Sequence, residues 1–307
     1  MHNTKKHVAL VMGGLSAERE VSISSGNAIH KALLELGYKV TPIDMGRDIA
    51  TKLAEIKPDV VYNALHGTYG EDGCLPGLLE ILSIPYTHSG VMASAIAMDK
   101  KQAKYLFEAV GIKCSQGFEV NREDVLNNKI GNKITKPYVI KPVAEGSSVG
   151  VHIITEGSNK ILTDEDLGRT KRFLVEKYIP GKELSVAVKD DGPLGVIELR
   201  PKDGFYDYTN KYTDGKTMHI FPSEIPERIY NKAMENAYLA HQTLGCRGVS
   251  RSDFRYNNKE EEGLYMLEIN THPGFTPLSV VPEIAGFKGI KFNDLVEYIV
   301  SRAKCGE

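Results

Sequence analysis

Residues 249–274 read VSRSDFRYNNKEEEGLYMLEINTHPG, and this stretch decides how the rest of the chain is organised. Arg251 and Asp253 stand two apart on one strand-like run, and Glu268 and Asn270 stand two apart on the next. On extended backbone, residues i and i+2 share a face. The polar run Asn257 to Gly263 (NNKEEEG) supplies a turn, so the spacing predicts a β-hairpin. If Asp253 faces Glu268, antiparallel geometry also sets Arg251 opposite Asn270, which gathers four polar side chains in one cluster. Phe254, Leu267 and Ile269 read as core. Asp, Glu and Asn offer the oxygen ligands Mg²⁺ takes, with nucleotide phosphates completing the shell. A solvent-facing salt-bridge ladder accounts for the same four residues equally well, so the hairpin alone leaves both readings open.

The chain has 307 residues, enough for about two domains. Its 41% hydrophobic and 25% charged residues are ordinary for a globular protein. A net charge of −2 provides no field for nucleic acid or an anionic membrane. The opening MHNTKKHVALVMGG has too short an apolar run for a signal peptide, and no stretch approaches a membrane span. Cys74, Cys114, Cys246 and Cys305 are scattered without a C-x-x-C pair, so neither a disulfide framework nor a zinc site is indicated. A reduced cytoplasm is the expected compartment.

The first ninety residues alternate. His7 to Met12 reads as a strand ending in Gly13-Gly14. Ala28, Ile29, Ala32, Leu33 and Leu36 then mark a helix closed by Gly37. Strands at Lys39–Ile43 and Asp59–Leu65 and helices at Ile49–Ile56 and Leu75–Leu82 continue a βαβ series, hence a parallel sheet with helices on both faces. Functional groups belong in loops at the carboxyl ends of such strands, here Gly13–Arg19 and Leu65–Gly73. A single long helix is expected over Met92–Val110, carrying Asp99-Lys100. From Pro137 the texture turns to strand–turn–strand. Pro201–Pro222 shows no regular pattern and exceeds the ~12–15 residues beyond which such loops are usually functional or mobile, so a lid is expected there. Helices are predicted over Ile225–Leu244 and Phe292–Ala303.

AEGSSVG (144–150) is a small-residue loop that lets backbone N–H groups approach an anion. It is no Walker A loop, and no two glycines anywhere are spaced i, i+2, which removes the dinucleotide fingerprint. On composition alone an ordinary hairpin turn explains it; Lys141, three residues upstream, adds a phosphate contact by charge and placement. Glu18 and Arg19 could be first-turn electrostatics. His66 could be a turn histidine, Lys100 a surface lysine, and residues 210–212 an ordinary loop.

Taken together, eight blocks point further. GGLSAEREVS (13–22), HGTYGEDG (66–73), YTHSGVMASAIAMDK (86–100), VIKPVAEGSSVG (139–150), VEKYIPGKELSV (175–186), FYDYTNKY (205–212), SRSDF (250–254) and LEINTHPGFTPLS (267–279) occur in one order. With them the chain resembles the D-alanine:D-alanine ligases of the ATP-grasp superfamily, essentially end to end. The resemblance implies an α/β chain, α+β in its C-terminal two thirds: an N-terminal Rossmann-like lobe (1–89), a central lobe (90–180) and a C-terminal lobe (181–307) with a mobile loop 201–222. The last two lobes would clasp ATP. It also implies Lys100 and Lys141 at the α- and β-phosphates, Ser147 and Ser148 closing over them, Glu176 at the adenine-facing hinge, and Glu183 at the ribose. Asp253, Glu268 and Asn270 would hold two Mg²⁺, with Mn²⁺ as substitute, and Arg251 would steady the transferred phosphoryl group. Glu18 would accept the first ammonium, in a pocket that also includes His66, and Ser279 with the N–H of Gly274 would meet carboxylate and oxyanion. Lys211 would reach the γ-phosphate, and Tyr212 would bond toward Ser147 and Glu18.

The implied activity is ATP-dependent joining of two D-alanines for cell-wall precursors, in a homodimer without nucleic-acid or membrane partners. The alternatives are D-lactate or D-serine as acceptor on the same scaffold, or a catalytically dead ATP-binding module. The presence of Lys211-Tyr212 favours D-alanine as acceptor. Departures from the family pattern are His88 where many members carry Gly, Phe275 where Met is common, and Val280 after Ser279.

Overall fold

The computed structural model describes residues 5–131, 133–146, 149–202 and 216–306. Strands β1 (His7–Met12), β2 (Lys39–Asp44) and β3 (Val60–Asn63) form a parallel sheet in the order β2-β1-β3. Val8 to Val11 of β1 are fully buried, as expected for a central parallel strand covered on both faces. Helices α1 (Arg19–Glu35), α2 (Ile49–Ile56) and α3 (Cys74–Ile81) supply the cover. Ile29, Ala32 and Leu33 form the buried stripe of α1, and Gly37 follows its end in the left-handed conformation.

The long helix expected over Met92–Val110 is two helices, α4 (Val91–Met98) and α5 (Lys100–Ala109). Asp99 separates them in extended backbone, and its carboxylate accepts from the N–H groups of Lys101 and Gln102. A carboxylate able to cap a new helix competes with continuing the old one. The break frees the Lys100 N–H to donate to Val143 O at 3.1 Å, next to the strand carrying Lys141.

Two antiparallel sheets follow. Strands β4 (Gly117–Asn121), β5 (Tyr138–Pro142), β6 (His152–Ile154) and β7 (Arg172–Lys177) are ordered β4-β7-β5-β6. The AEGSSVG segment joins β5 to its antiparallel partner β6. Strands β8 (Lys182–Lys189), β9 (Gly192–Pro201), β10 (Thr217–Ile220), β11 (Val249–Tyr256) and β12 (Leu264–Asn270) are ordered β10-β9-β8-β11-β12. The stretch expected to be patternless therefore has a regular far end: β10 pairs with β9, and Lys202 N–H donates to Lys216 O at its base. Lys211 and Tyr212, and with them the lid expectation, lie outside the described residues, as do Ser147 and Ser148.

A helix over Glu227–Thr243 packs on the five-stranded sheet through Ile229, Ala233, Ala237 and Ala240. The helices Val280–Phe287 and Phe292–Ser301 share one apolar core with β1, β3, α1 and strands β8 and β9. The N-terminal sheet is thus anchored on the C-terminal end of the chain.

Candidate active site

The hairpin register is the one the spacing predicts. Arg251 faces Asn270 and Asp253 faces Glu268, with a bulge after Asp253. Phe254, fully buried, turns into the core by ordinary strand alternation; the extra residue is Leu267 of β12, which is only half-buried and not the core residue expected. The Arg251 guanidinium donates to both Asp253 oxygens at 2.8–3.1 Å, and Ser185 Oγ donates to Asp253 Oδ1 at 2.5 Å. Asn270 Oδ1 accepts the His272 N–H at 2.7 Å.

Across from this face stand the two lysines. Lys100 Nζ lies 3.3 Å from Glu268 Oε2 and donates to Glu145 O at 2.6 Å. Lys141 Nζ lies 2.7 Å from Glu176 Oε2. Burial lowers the Lys141 ammonium well below its usual range. These side chains line a cleft between the two antiparallel sheets, with Glu183, Asp253 and Glu268 on its walls. Val139, Val151, Ile179 and Leu267 give it apolar surface, so a flat aromatic group and a polyanion could both be accommodated. Arg255 holds Glu183 at 3.3 Å.

Asp253, Glu268 and Asn270 suit Mg²⁺ by the chemistry of their donors, all hard oxygens on one sheet face. No group of three or more His, Cys, Asp or Glu side chains placed to hold a metal occurs among the described residues.

The second part of the site lies at the carboxyl ends of the parallel strands. Ser16 Oγ donates to His66 O at 2.6 Å and so ties the two predicted loops together. Glu18 is buried before α1, and its Oε1 is packed against Gly67 and Gly146; a Cβ built on Gly146 would come within 2.7 Å of it. Gly146 belongs to AEGSSVG, so at this one position of the loop a side chain would collide with the Glu18 carboxylate. Arg19 instead pairs with Asp44 at the surface, the bland reading of that residue.

His66 Nδ1 lies 3.2 Å from Glu71 Oε1 and Nε2 lies 3.0 Å from Ser25 Oγ. A carboxylate only accepts, so Nδ1 carries a proton; in the neutral ring Nε2 accepts from the Ser25 O–H. Ser25 Oγ also accepts the Phe275 N–H at 3.3 Å, one residue after Gly274. Ser279 Oγ accepts the Thr276 N–H at 3.0 Å, which folds the GFTPLS turn so that Ser279 stands beside Gly274. His88, in the left-handed conformation, stacks on His272 at 3.9 Å between ring centroids. Tyr62 Oη, both ring nitrogens of His88, and His272 Nδ1 have no hydrogen-bond partner among the described residues. Burial pushes His88 down to about 3, helped by His66 and Arg247, and lowers His272.

The fold thus brings Glu18, His66, Gly274 and Ser279 together at one end, and Lys100, Lys141, Glu176, Glu183, Arg251, Asp253, Glu268 and Asn270 at the other. Sequence reasoning missed Ser25, Glu71, Ser185 and Lys104. Only Lys104 left a legible sign: it is a lysine in the buried stripe Lys100, Ala103, Lys104, Phe107 of α5.

Residues 106–301 match the family described as D-ala D-ala ligase C-terminus, and residues 48–89 the one described as D-ala D-ala ligase N-terminus. A D-alanine--D-alanine ligase of Wolbachia sp. subsp. Drosophila simulans (strain wRi) is 54% identical over 295 residues, 95% of this chain and 92% of the relative. That of Rickettsia felis is 49% identical over 300 residues, 97% of this chain and 92% of the relative. Among solved structures, a Bacillus anthracis D-alanine--D-alanine ligase complexed with ATP superposes with a TM-score of 0.82 at 28% identity, covering 97% of both chains. A D-Ala:D-Ser ligase from Enterococcus faecalis superposes at 0.77 and 27% identity, covering 97% of this chain and 99% of that one. With two antiparallel sheets facing across a lysine-lined cleft, a parallel-sheet lobe beside them, and relatives of about half identity along its whole length, the chain belongs to the D-alanine–D-alanine ligase family and has the ATP-grasp fold.

Proposed function

We propose that this protein joins two D-alanines, forming D-alanyl-D-alanine, ADP and phosphate, for peptidoglycan precursors. The observation that carries the reading is the hairpin register, which puts Arg251, Asp253, Glu268 and Asn270 on one face across from Lys100 and Lys141. That arrangement supplies what phosphoryl transfer needs, positioned charge and little else.

A carboxylate is a poor acyl donor. In the proposed sequence an oxygen of the first D-alanine attacks the γ-phosphorus of ATP, the bond to the ADP oxygen breaks, and an acyl phosphate forms. The amine of the second D-alanine loses a proton and attacks the acyl carbon; phosphate leaves with the C–O electron pair. Glu18, buried against Gly67 and Gly146, receives the first ammonium. Gly274 and Ser279 face the reacting carboxylate, and the Glu71–His66–Ser25–Phe275 chain holds that backbone in place. Lys100 and Lys141 hold the α- and β-phosphates, Glu176 and Glu183 flank the nucleoside, and Arg251 steadies the transferred group. Asp253, Glu268 and Asn270 would hold Mg²⁺, which would neutralise phosphate charge. Ser147, Ser148, Lys211 and Tyr212 would close the site and keep the acyl phosphate from water. We place the enzyme in the cytoplasm as a homodimer.

The test is phosphate release with product analysis. ATP, Mg²⁺ and D-alanine together should give one phosphate per D-alanyl-D-alanine, with little release when D-alanine is omitted. With D-alanine competing at pH 7 against equal D-lactate or D-serine, the D-alanine dipeptide should predominate. Release independent of D-alanine would overturn ligation, and a predominant ester or D-alanyl-D-serine would overturn the acceptor.

A further inference from the structure

Lys104 lies one turn beyond Lys100 on the buried face of α5. Its Nζ donates to Ser115 O at 3.0 Å and to Ser115 Oγ at 2.8 Å, and it pairs with Glu176 Oε1. The other carboxylate oxygen, Oε2, takes Lys141 at 2.7 Å. All three side chains are under 10% exposed. Glu176 and Lys141 line the cleft, whereas Lys104 stands behind Glu176. Two ammonium groups therefore share one carboxylate in a site nearly closed to water.

We propose that Lys104 is a positioning residue for nucleotide phosphates: by occupying one oxygen of Glu176 it leaves Lys141 able to turn toward a phosphate without stripping a buried carboxylate of its partner. The inference rests on the reading of the cleft as a nucleotide site with Lys141 as a phosphate lysine. Without Lys104, Lys141 and Glu176 would form a closed neutral pair. Both carboxylate oxygens would converge on one ammonium, and releasing Lys141 would leave an uncompensated buried charge. With Lys104 present, Glu176 keeps a partner throughout, and the fully ionised triad carries one net positive charge at the cleft wall. Burial pushes the Lys104 ammonium down to about 8 and lowers Lys141 further, so the excess charge is held against a desolvation cost that a polyanion relieves. The other carboxylate acting on Lys104, Glu108, is not the partner of Lys141, whose ammonium meets Glu176 Oε2.

The test compares ADP with adenosine, a ligand that keeps the base and ribose and lacks the phosphates. Lys104→Met keeps the methylene stem and removes the charge. By calorimetry it should bind ADP at least about tenfold more weakly, the order expected for loss of a hydrogen bond to a charged group. Adenosine affinity should change less than about threefold. In Lys104→Met/Glu176→Gln the carboxylate no longer ties Lys141, so ADP affinity should recover most of the loss. A merely structural role would weaken ADP and adenosine together and would not be rescued by Glu176→Gln; that outcome overturns the inference. Lys141→Met separates the two claims. If it binds ADP like the wild type, the phosphate-lysine reading itself fails. If it loses ADP while Lys104→Met keeps the wild-type ADP-to-adenosine ratio, only the role of Lys104 falls. Should Lys104→Met not fold, Lys104→Gln, which can still donate to Ser115, carries the same expectations.

Discussion

In and behind the cleft between the antiparallel sheets, Lys100, Lys104 and Lys141 are each set against a carboxylate oxygen, and Arg251 and Arg255 each against a further carboxylate. Beside the parallel sheet, by contrast, His88 and His272 are stacked and buried where burial suppresses charge, next to the Tyr62 hydroxyl, which has no hydrogen-bond partner among the described residues. One region holds charge ready for a polyanion. The other keeps titratable rings neutral so that they pack as core. Coulomb attraction in a low-dielectric cleft justifies the first arrangement only where an anion arrives. For the buried rings beside the parallel sheet, the neutral imidazole costs less to bury than the imidazolium.

The largest effect should come from breaking the charged region. Glu268→Gln removes a carboxylate from the proposed metal face while keeping its shape. Loss of one preorganised electrostatic contact costs about 10²–10³-fold in turnover. Steady-state phosphate release should fall by that order with the melting temperature little changed. Near wild-type turnover would reduce the hairpin to the salt-bridge ladder that its four side chains first allowed.

The neutral region should reveal itself through acid. His88 is held at about 3 in the folded protein, while the unfolded chain takes up a proton near 6.5. Its folded value is the depressed one, so the unfolded state binds the extra proton as pH drops. Stability is fully present above pH 6.5 and is lost below it, by roughly 2 kcal/mol between pH 7.5 and 5 for this group. Asn tolerates the left-handed backbone of residue 88 and does not titrate. Urea unfolding at both pH values should therefore show a smaller acid loss in His88→Asn than in the wild type, by about that amount. Equal losses would mean that the buried ring does not stay neutral in the folded state.

A smaller effect sharpens how the charged region is positioned. Asp99→Ala removes the cap of α5 and the 2.8 Å pair with Arg172. The cap is worth about 1 kcal/mol. A modest drop in melting temperature should come with a raised KM for ATP, because Lys100 is the first residue of the helix that Asp99 caps. A lower melting temperature with an unchanged KM would show that the cap stabilises the helix without aiming Lys100.

Much was decided by local periodicity and short-range chemistry. That Arg251 and Asp253 could face Asn270 and Glu268 followed from two i, i+2 spacings and one polar turn; the one-residue shift at Leu267, between that cluster and the turn, did not. The parallel sheet followed from alternating apolar runs and helical stripes with glycine stops. What the sequence could not decide were contacts between residues far apart in the chain. Asp99 reads as a helical residue until Val143 offers the freed Lys100 N–H an acceptor 43 positions away. His88 is a departure from the family pattern and His272 part of a block that follows it, and nothing along the chain connects them until the fold stacks their rings. Lys104, a lysine among apolar neighbours, acquires its partner only when β7 carries Glu176 to the cleft wall, between Lys104 and Lys141. Spacing along a strand or helix sets which face a side chain takes, because backbone geometry repeats. Which charge or ring meets it there depends on how the sheets are brought together, and only the tertiary structure determines that.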